Sequence, residues 1–431
     1  MKTTPGFTVL IALVSPFLTD ALHSDVITVN PDGTADYETI QEAVDVASDG
    51  DEIQIQPGVY TGGGDQVVDT LGKSIVLRGM PDGTAAPLID GEGVRRGIIC
   101  RSGEGPGTVI EELVFQDCYP AWYDWNDNGE PDFWEYFGGA MWCRDGSAPT
   151  IRLCVFGNNR AEYGGAIYCG DENGVASNPT IVDCFFAFNE SAPASGGVGG
   201  ALYNNASSPV ITGSAFASNK AYSGGAILNW AGSDPEILDC RFTDNSARNG
   251  GAVYNDSSQP RHIGCRFEGN SASADGGAVF NADPGSSVNV PVFESCDFIA
   301  NSAGSEGGAV NNFSVDPEIT MCLFTDNTAP DGSALHSWNG SVPKLFGTYI
   351  CGNGIPQVSG PFEDLGKNRI SQSCQVFCPG DLDGDGNVDG ADLTQLLGDW
   401  GVSGTKADLD ENGTVDGEDL LILLGNWNAC P

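Results

Sequence analysis

Positive charge is scarce in this sequence: 18 lysines and arginines stand against 59 aspartates and glutamates, for a formal net charge of −41. A chain so acidic is repelled by a phosphate backbone, which excludes nucleic acid as a partner. Long apolar runs are missing too. Nothing approaches the roughly 18 apolar residues of a membrane-crossing helix, so no transmembrane span is expected in the mature chain. The one apolar stretch, Phe7 to Leu18, follows Lys2 and precedes Ala21, with Asp20 between. It reads as a secretory signal peptide over residues 1–24, which places the rest outside the cell or at its surface. Glycine is what the chain has in excess. Its 60 glycines point to many tight turns and away from helical bundles. Part of the acidity belongs to cation sites, and the rest reads as a solvated coat suited to a calcium-rich or saline exterior.

Gly-Gly-Ala followed by an aliphatic residue recurs from Gly138, Gly164, Gly199, Gly224, Gly250, Gly276 and Gly307, with a worn copy at Gly332-Ser333-Ala334. The intervals are 26, 35, 25, 26, 26, 31 and 25 residues, so one unit is about 26 with two insertions. Between these marks Cys-x-Phe-x-x-Asn recurs: Cys154/Phe156/Asn159, Cys184/Phe186/Asn189, Cys240/Phe242/Asn245, Cys265/Phe267/Asn270, Cys296/Phe298/Asn301 and Cys322/Phe324/Asn327. Ser214 replaces the cysteine before Phe216 and Asn219. A unit this short holds a few strands and turns but cannot close a core alone; stacking solves this, each strand pairing with its counterparts about 4.8 Å above and below. A superhelix of paired helices is rejected by the glycine content and the β-branched runs. Residues two apart share a face, which predicts inward columns of Phe and Cys, and of Asn whose amides bond along the stack.

The Gly-Gly-Ala-Ile and Phe-x-x-Asn signatures resemble the repeats of the polymorphic outer-membrane protein family, over roughly Ala140 to Tyr349. The wider resemblance is to pectin-lyase-like proteins and implies an all-β, right-handed parallel β-helix, a scaffold that carries adhesins, lyases, hydrolases and spacers. The segment before it resembles the start of pectinesterase-like proteins: Thr39-x-x-Glu42 is a capping box for a helix with Ile40, Ala43, Val44 and Ala47 on one face. The expected organisation is a β-helix over 25–377 (cap 25–118, loop insertion 119–137, Gly-Gly-Ala repeats 138–350) and a small α-helical module over 378–431.

Stacked cysteines in parallel strands keep their Cβ atoms near the strand spacing, beyond the roughly 3.8 Å that a disulfide prefers. The repeat cysteines, and Cys143 with Cys169, are therefore expected as buried free thiols. Cys351 with Cys374, and Cys378 with Cys430, bracket non-repetitive segments and are able to close loops, although connectivity stays open on sequence alone.

The most specific chemistry lies near the C-terminus. From Asp381 the chain matches a twelve-residue calcium loop, with Asp381, Asp383, Asp385, Asn387 and Asp392 at places one, three, five, seven and twelve and Gly386 at six. A hard cation wants six to eight oxygens from a chain wrapped tightly around it, and the glycine supplies the bend. A helix follows with Leu393, Leu396, Leu397 and Trp400 on one face. The unit repeats 27 residues later with Asp408, Asp410, Asn412, Thr414 (through its carbonyl) and Asp419 as ligands, and Leu420, Leu423, Leu424 and Trp427 as the apolar face. From Cys378 to Pro431 twelve acids face a single base, Lys406, so without calcium this module is expected to be loose. Two such loop–helix units resemble a type I dockerin, which implies docking onto a cohesin-like domain; the partner-selecting loop positions ten and eleven hold Gly390-Ala391 and Gly417-Glu418 in place of hydroxyl or β-branched residues. A third calcium loop is expected in the insertion, from Asp124, Asn126, Asn128, Glu130 and Glu135 around Gly129.

A catalytic constellation is not legible, and the catalytic residues are unknown. Asp183, Asp239, Asp244 and Asp326 sit singly beside ladder positions and read as solvated turn residues. Arg241, Arg248, Arg261 and Arg266, with His262 able to join them, read as a charge patch more than as a lyase base. The paired aspartates and Gly-His-Gly of polygalacturonases are missing. One outward row, Trp142, Tyr168, Tyr203, Leu228, Tyr254 and Phe280, then Asn311 and His336, offers aromatic rings for stacking on sugars, or else the rings stack on each other or lie beneath loops. The leading functional expectation is a secreted or cell-surface binding, adhesion or spacer element with a calcium-dependent docking module, its partners a cohesin-like domain and a polysaccharide or cell-surface glycan. The alternative is a carbohydrate-active enzyme, a polysaccharide lyase or glycoside hydrolase.

Overall fold

The structure is a computed structural model that describes residues 24–120, 137–170, 174–191, 196–283, 290–374, 380–383, 387–410 and 412–428. Its body is a right-handed parallel β-helix. Three sheets of thirteen, twelve and eleven described strands run along it, and every pairing is parallel. One coil shows the winding: Ile227–Trp230 in the third sheet, Glu236–Leu238 in the first, Arg241–Thr243 in the second, a short strand Ser246–Ala247, then the next Gly-Gly-Ala. Asp239 and Asp244, at φ 52° and 54°, turn the two tight corners. Asp183 and Asp326 do the same in their coils, so these exposed carboxylates are corner residues, tolerated there because aspartate enters the left-handed region more readily than most residues.

The Gly-Gly pair is a steric requirement. The first glycine of each pair turns the corner at φ between 56° and 66°. The second has no such need, but a Cβ on Gly251 would stand 2.1 Å from the carbonyl oxygen of Gly277 in the next coil, and one on Gly225 2.0 Å from that of Gly251. Ser333 is allowed in the worn copy because no further Gly-Gly coil lies above it; its hydroxyl instead donates to the Ala329 carbonyl at 3.0 Å.

Inside, like residues meet from coil to coil. Phe115, Phe156, Phe186, Phe216, Phe242, Phe267, Phe298 and Phe324 form a buried column. Phe216 and Phe242 stack at 5.0 Å and Phe242 and Phe267 at 4.7 Å, with nearly parallel rings. Each asparagine amide, from Asn159 through Asn189, Asn219, Asn245, Asn270 and Asn301 to Asn327, donates to the next one's Oδ1 at 2.8 to 3.0 Å. A second ladder joins Asn204, Asn229, Asn255, Asn281 and Asn312. A buried amide without a partner costs about 1–3 kcal/mol, so each ladder penalises any coil that slips. The repeat cysteines are buried free thiols, as are Cys143 and Cys169, to which the structure adds Cys100 and Cys118. Burial pushes the Cys118 and Cys240 thiols up to about 12, which keeps them unreactive. Cys351 and Cys374 form a disulfide; Cys378 and Cys430 lie outside the described residues.

The helix α1 (Ile40–Val46) begins on the expected capping box, with Thr39 Oγ1 accepting from the Glu42 N–H and the Thr39 N–H donating to Glu42, and it buries Ile40, Ala43 and Val44. The rest of residues 25–118 is more than a cap: its strands, from Val26–Val29 to Val114–Gln116, already belong to the three sheets. Those coils escape the repeat signature because Arg96-Gly97-Ile98 stands in register with Gly139-Ala140-Met141.

His262 does not join the arginines. It lies fully buried in the inward column of the first sheet between Ile237 and Phe293, stacked on the Phe293 ring at 4.9 Å, with neither ring nitrogen hydrogen-bonded. Arg261 faces solvent on that sheet, while Arg241 and Arg266 pair in register on the second. Burial lowers His262 from 6.5 to about 4. The unfolded chain then binds the extra proton first, so stability is expected to fall as pH drops from 6.5 towards 4, by about 3 kcal/mol in all. His262→Phe, matching its upper neighbour, should flatten that acid slope in denaturant titrations at several pH values; an unchanged slope contradicts the burial of a neutral imidazole.

Candidate functional sites

Two sites stand out: the paired acidic loops and a polar break in the apolar outer face of the coil. The helices α2 (Gly390–Gly398) and α3 (Gly417–Gly425) each start on a capping box, Asp389 with Asp392 and Asp416 with Asp419. Asp392 accepts from the N–H groups of Leu382 (2.6 Å), Asp383 (3.1 Å) and Asp389 (2.8 Å). Asp419 repeats this with Leu409 (2.6 Å), Asp410 (3.1 Å) and Asp416 (2.7 Å). Burial pushes both carboxyls up, but the backbone donors outweigh it and hold them below the usual aspartate value. Each loop is thereby closed by its own twelfth residue.

Carboxylate oxygens of Asp381, Asp383 and Asp392 lie within 4.8 Å of one another, and so do those of Asp408, Asp410 and Asp419. The Gly413 N–H donates to Asp408 at 3.0 Å, and Asn412 caps the Thr414 N–H at 3.0 Å, which folds the second loop tightly. The donors are all oxygens crowded at one point, a set suited to a hard cation. Asn387 is described and exposed; Asp385 and the whole of the third loop, Asp124, Asn126, Asn128, Glu130 and Glu135, lie outside the described residues.

The expected apolar faces split in two. Leu396 and Leu423 are buried with Leu382, Val388, Ala407 and Val415, and Leu393 and Leu420 pack against them. Leu397 (53% exposed), Trp400 (47%), Leu424 (47%) and Trp427 (36%) remain open. Leu396 and Leu397, and likewise Leu423 and Leu424, are consecutive and so stand about 100° apart around the helix, which turns the first inward and leaves the second on an outer apolar strip with the tryptophan just past the helix end.

The outward aromatic row is not open to solvent. Trp142, Tyr168, Tyr203, Leu228 and Phe280 are all at most 8% exposed, and only Tyr254 is intermediate. The physical reason is the corner before each Gly-Gly: Phe137, Tyr163 and Val198 fold back over the row and form a second apolar layer with it. Phe137 stacks on Tyr168 at 4.3 Å, Tyr168 on Tyr203 at 5.2 Å, and Tyr254 on Phe280 at 5.1 Å. Burial raises Tyr254 to about 12. These rings stack on one another and are closed to a sugar.

Two coils later the same surface changes character. The residue before Gly-Gly becomes Asp275, Glu306 and then Asp331, in successive coils. The row beneath becomes Asn311 and His336, in register above Phe280. Burial and the nearby Glu306 charge push the Asp275 carboxyl up. The sequence carries a signal for this cluster in the residue preceding each Gly-Gly, which is aromatic or aliphatic in the early coils and acidic in the last three. A groove of about 520 Å³ lies beside the same corners, lined by Lys220, Tyr222, Ser246, Arg248, Ser271 and Ser273. Arg248 stands over the Tyr222 ring at 5.5 Å, and its Nη1 donates to that hydroxyl at 3.1 Å.

Residues 133–289 match the family model described as the right handed beta helix region. Among solved structures the chain is similar to the catalytic domain of a GH87 alpha-1,3-glucanase in complex with nigerose, at 10% identity over 82% of this chain and 70% of that one, with a TM-score of 0.47. It is also similar to the A-module of the Azotobacter vinelandii mannuronan C-5 epimerase AlgE4 (13% identity, 78% of this chain, 95% of that one, TM-score 0.38). A PL6 family alginate lyase, AlyGC, is a third (14% identity, 80% of this chain, 51% of that one, TM-score 0.35). No curated protein sequence matches.

Proposed function

We propose that this chain is an exported or cell-surface β-helix that acts as a binding or spacer element, held in place by a C-terminal module that folds around calcium and docks onto a partner. The observation that carries the reading is the pair of loops with three carboxylates each within 4.8 Å, one twelfth-position aspartate closing each. Asp381, Asp383, Asp385, Asn387 and Asp392 hold one ion, and Asp408, Asp410, Asn412, Thr414 and Asp419 the other. The uncovered strips at Leu397, Trp400, Leu424 and Trp427 support docking, because a monomer gains nothing from leaving two tryptophans in water. A cohesin-like domain is the partner that the dockerin resemblance implies. Capture with calcium against capture with chelator tests this: a calcium-dependent partner lost in the pair Trp400→Ala and Trp427→Ala is expected, whereas retention after both substitutions leaves the module a plain structural cap.

The second reading, a carbohydrate-active enzyme acting on polysaccharide, is favoured by the groove at Lys220, Tyr222 and Arg248. It has two cations and an aromatic ring, and no acid lines it, in a chain of net charge −41. An acidic glycan suits it. Binding without release of reducing or unsaturated ends is the outcome expected for a spacer, and turnover replaces that reading with the enzyme.

A further inference from the structure

The break in the outer face at the last coils has the composition of a metal site. Two separate columns change within one coil of each other. The covering column, neutral from Phe137 through Tyr163, Val198, Ser223 and Asn249, turns acidic at Asp275, Glu306 and Asp331. The covered row, apolar up to Phe280, turns to Asn311 and His336. Stacking places successive carboxylates of the covering column about 4.8 Å apart at their backbones, which is repulsive without a cation between them.

The covered residues supply a second, separate indication. Asn311 is fully buried, and neither its amide nitrogen nor its amide oxygen has a hydrogen-bond partner. It is roofed by the corner that carries Glu306: a Cβ on Gly307 would stand 2.7 Å from that of Asn311. His336 lies likewise under Gly332, next to Asp331, and is 7% exposed. Its Nδ1 is 3.3 Å from Glu306 Oε2 and its Nε2 is 3.7 Å from Asp331 Oδ2. A buried asparagine with both amide atoms unsatisfied is costly, and the other buried asparagines among the described residues of the coil are laddered.

We propose that His336, Asp331 and Asn311, with Glu306 behind the imidazole, form a site for a borderline divalent cation, zinc or manganese, separate from the calcium loops. An imidazole nitrogen among carboxylates selects such ions over calcium, which takes oxygen alone. Nε2 and Asp331 Oδ2, 3.7 Å apart, would be two of its ligands. Glu306 Oε2, 3.3 Å from Nδ1 but not hydrogen-bonded to it, stands on the side of the ring where carboxylate partners of metal-bound histidines fix the tautomer. The unpaired amide of Asn311, in register with His336, is assigned a further position together with water, and Asp275 adds negative charge one coil below Glu306.

Zinc added to the calcium-saturated full-length protein tests this by calorimetry, with the imidazole nitrogen shifts followed by NMR. The chain has three histidines, so the His336 signals are separable. One zinc equivalent is expected, with His336 Nε2 shifting. It should be lost in His336→Asn, a residue the fold already carries in register one coil below. Glu306→Gln should weaken it tenfold or more, while His262→Phe should leave it unchanged. No zinc equivalent on the native protein, or one that survives His336→Asn, overturns the assignment; a native His336 shift keeps the test decisive should a variant fold poorly.

Discussion

Calcium withdrawal is expected to unfold residues 380–428 and to leave the coil intact. Among the described residues the module's buried apolar core is six side chains, Leu382, Val388, Leu396, Ala407, Val415 and Leu423, far too few to hold a domain of this size alone. Against that small gain stand two triads of carboxylates held within 4.8 Å. A bound ion reverses the sign of that interaction, and at a thousandfold excess over its dissociation constant each ion adds about 4 kcal/mol. Chelation removes both contributions and restores the repulsion. Proteolysis should then cut after the disulfide at Cys374 and stop, and amide signals of α2 and α3 should collapse while those of the coil persist. Full protection of the module in chelator contradicts a calcium-folded tail.

A single methyl-bearing side chain at the second glycine of a pair is expected to be the most damaging substitution in the coil. In Gly251→Val the new Cβ would meet the Gly277 carbonyl oxygen at 2.1 Å and the Ser271 carbonyl oxygen at 2.6 Å, both backbone atoms that cannot swing aside. The coils must separate, which breaks the Phe242–Phe267 stack and both asparagine ladders at that level. A cost beyond about 4–5 kcal/mol is expected, and because each coil touches only its neighbours the break should expose a protease site there. Gly157→Ala is the control: it lies in a strand of the second sheet with nothing within 4 Å of the added Cβ. It should fold with near-native denaturant resistance. Equal behaviour of the two variants contradicts the steric account of the repeat.

The interior of the coil was legible because stacking makes like residues recur at one spacing: the Phe, Cys and Asn columns and the paired acidic loops are identities at fixed intervals. Coverage of the outer face was not. Alternation shows that Trp142 and Tyr168 point outward, yet whether the corner at Phe137 and Tyr163 folds over them depends on a backbone turn that pattern does not encode. The first coils were hidden for a related reason, since Arg96-Gly97-Ile98 holds the place of Gly139-Ala140-Met141 through register alone. His262 reads as an arginine neighbour along the chain, and only its lateral partners Ile237 and Phe293 reveal an inward ring.

Everything rests on coils stacked in register, and native-state alkylation with mass mapping tests that most directly. Cys154, Cys184, Cys240, Cys265, Cys296 and Cys322, with Cys100, Cys118, Cys143 and Cys169, should stay unmodified and unpaired until denaturant is added, with Cys351 and Cys374 recovered as a disulfide. A disulfide between successive column members such as Cys265 and Cys296, or rapid labelling of that column in native buffer, contradicts the stack.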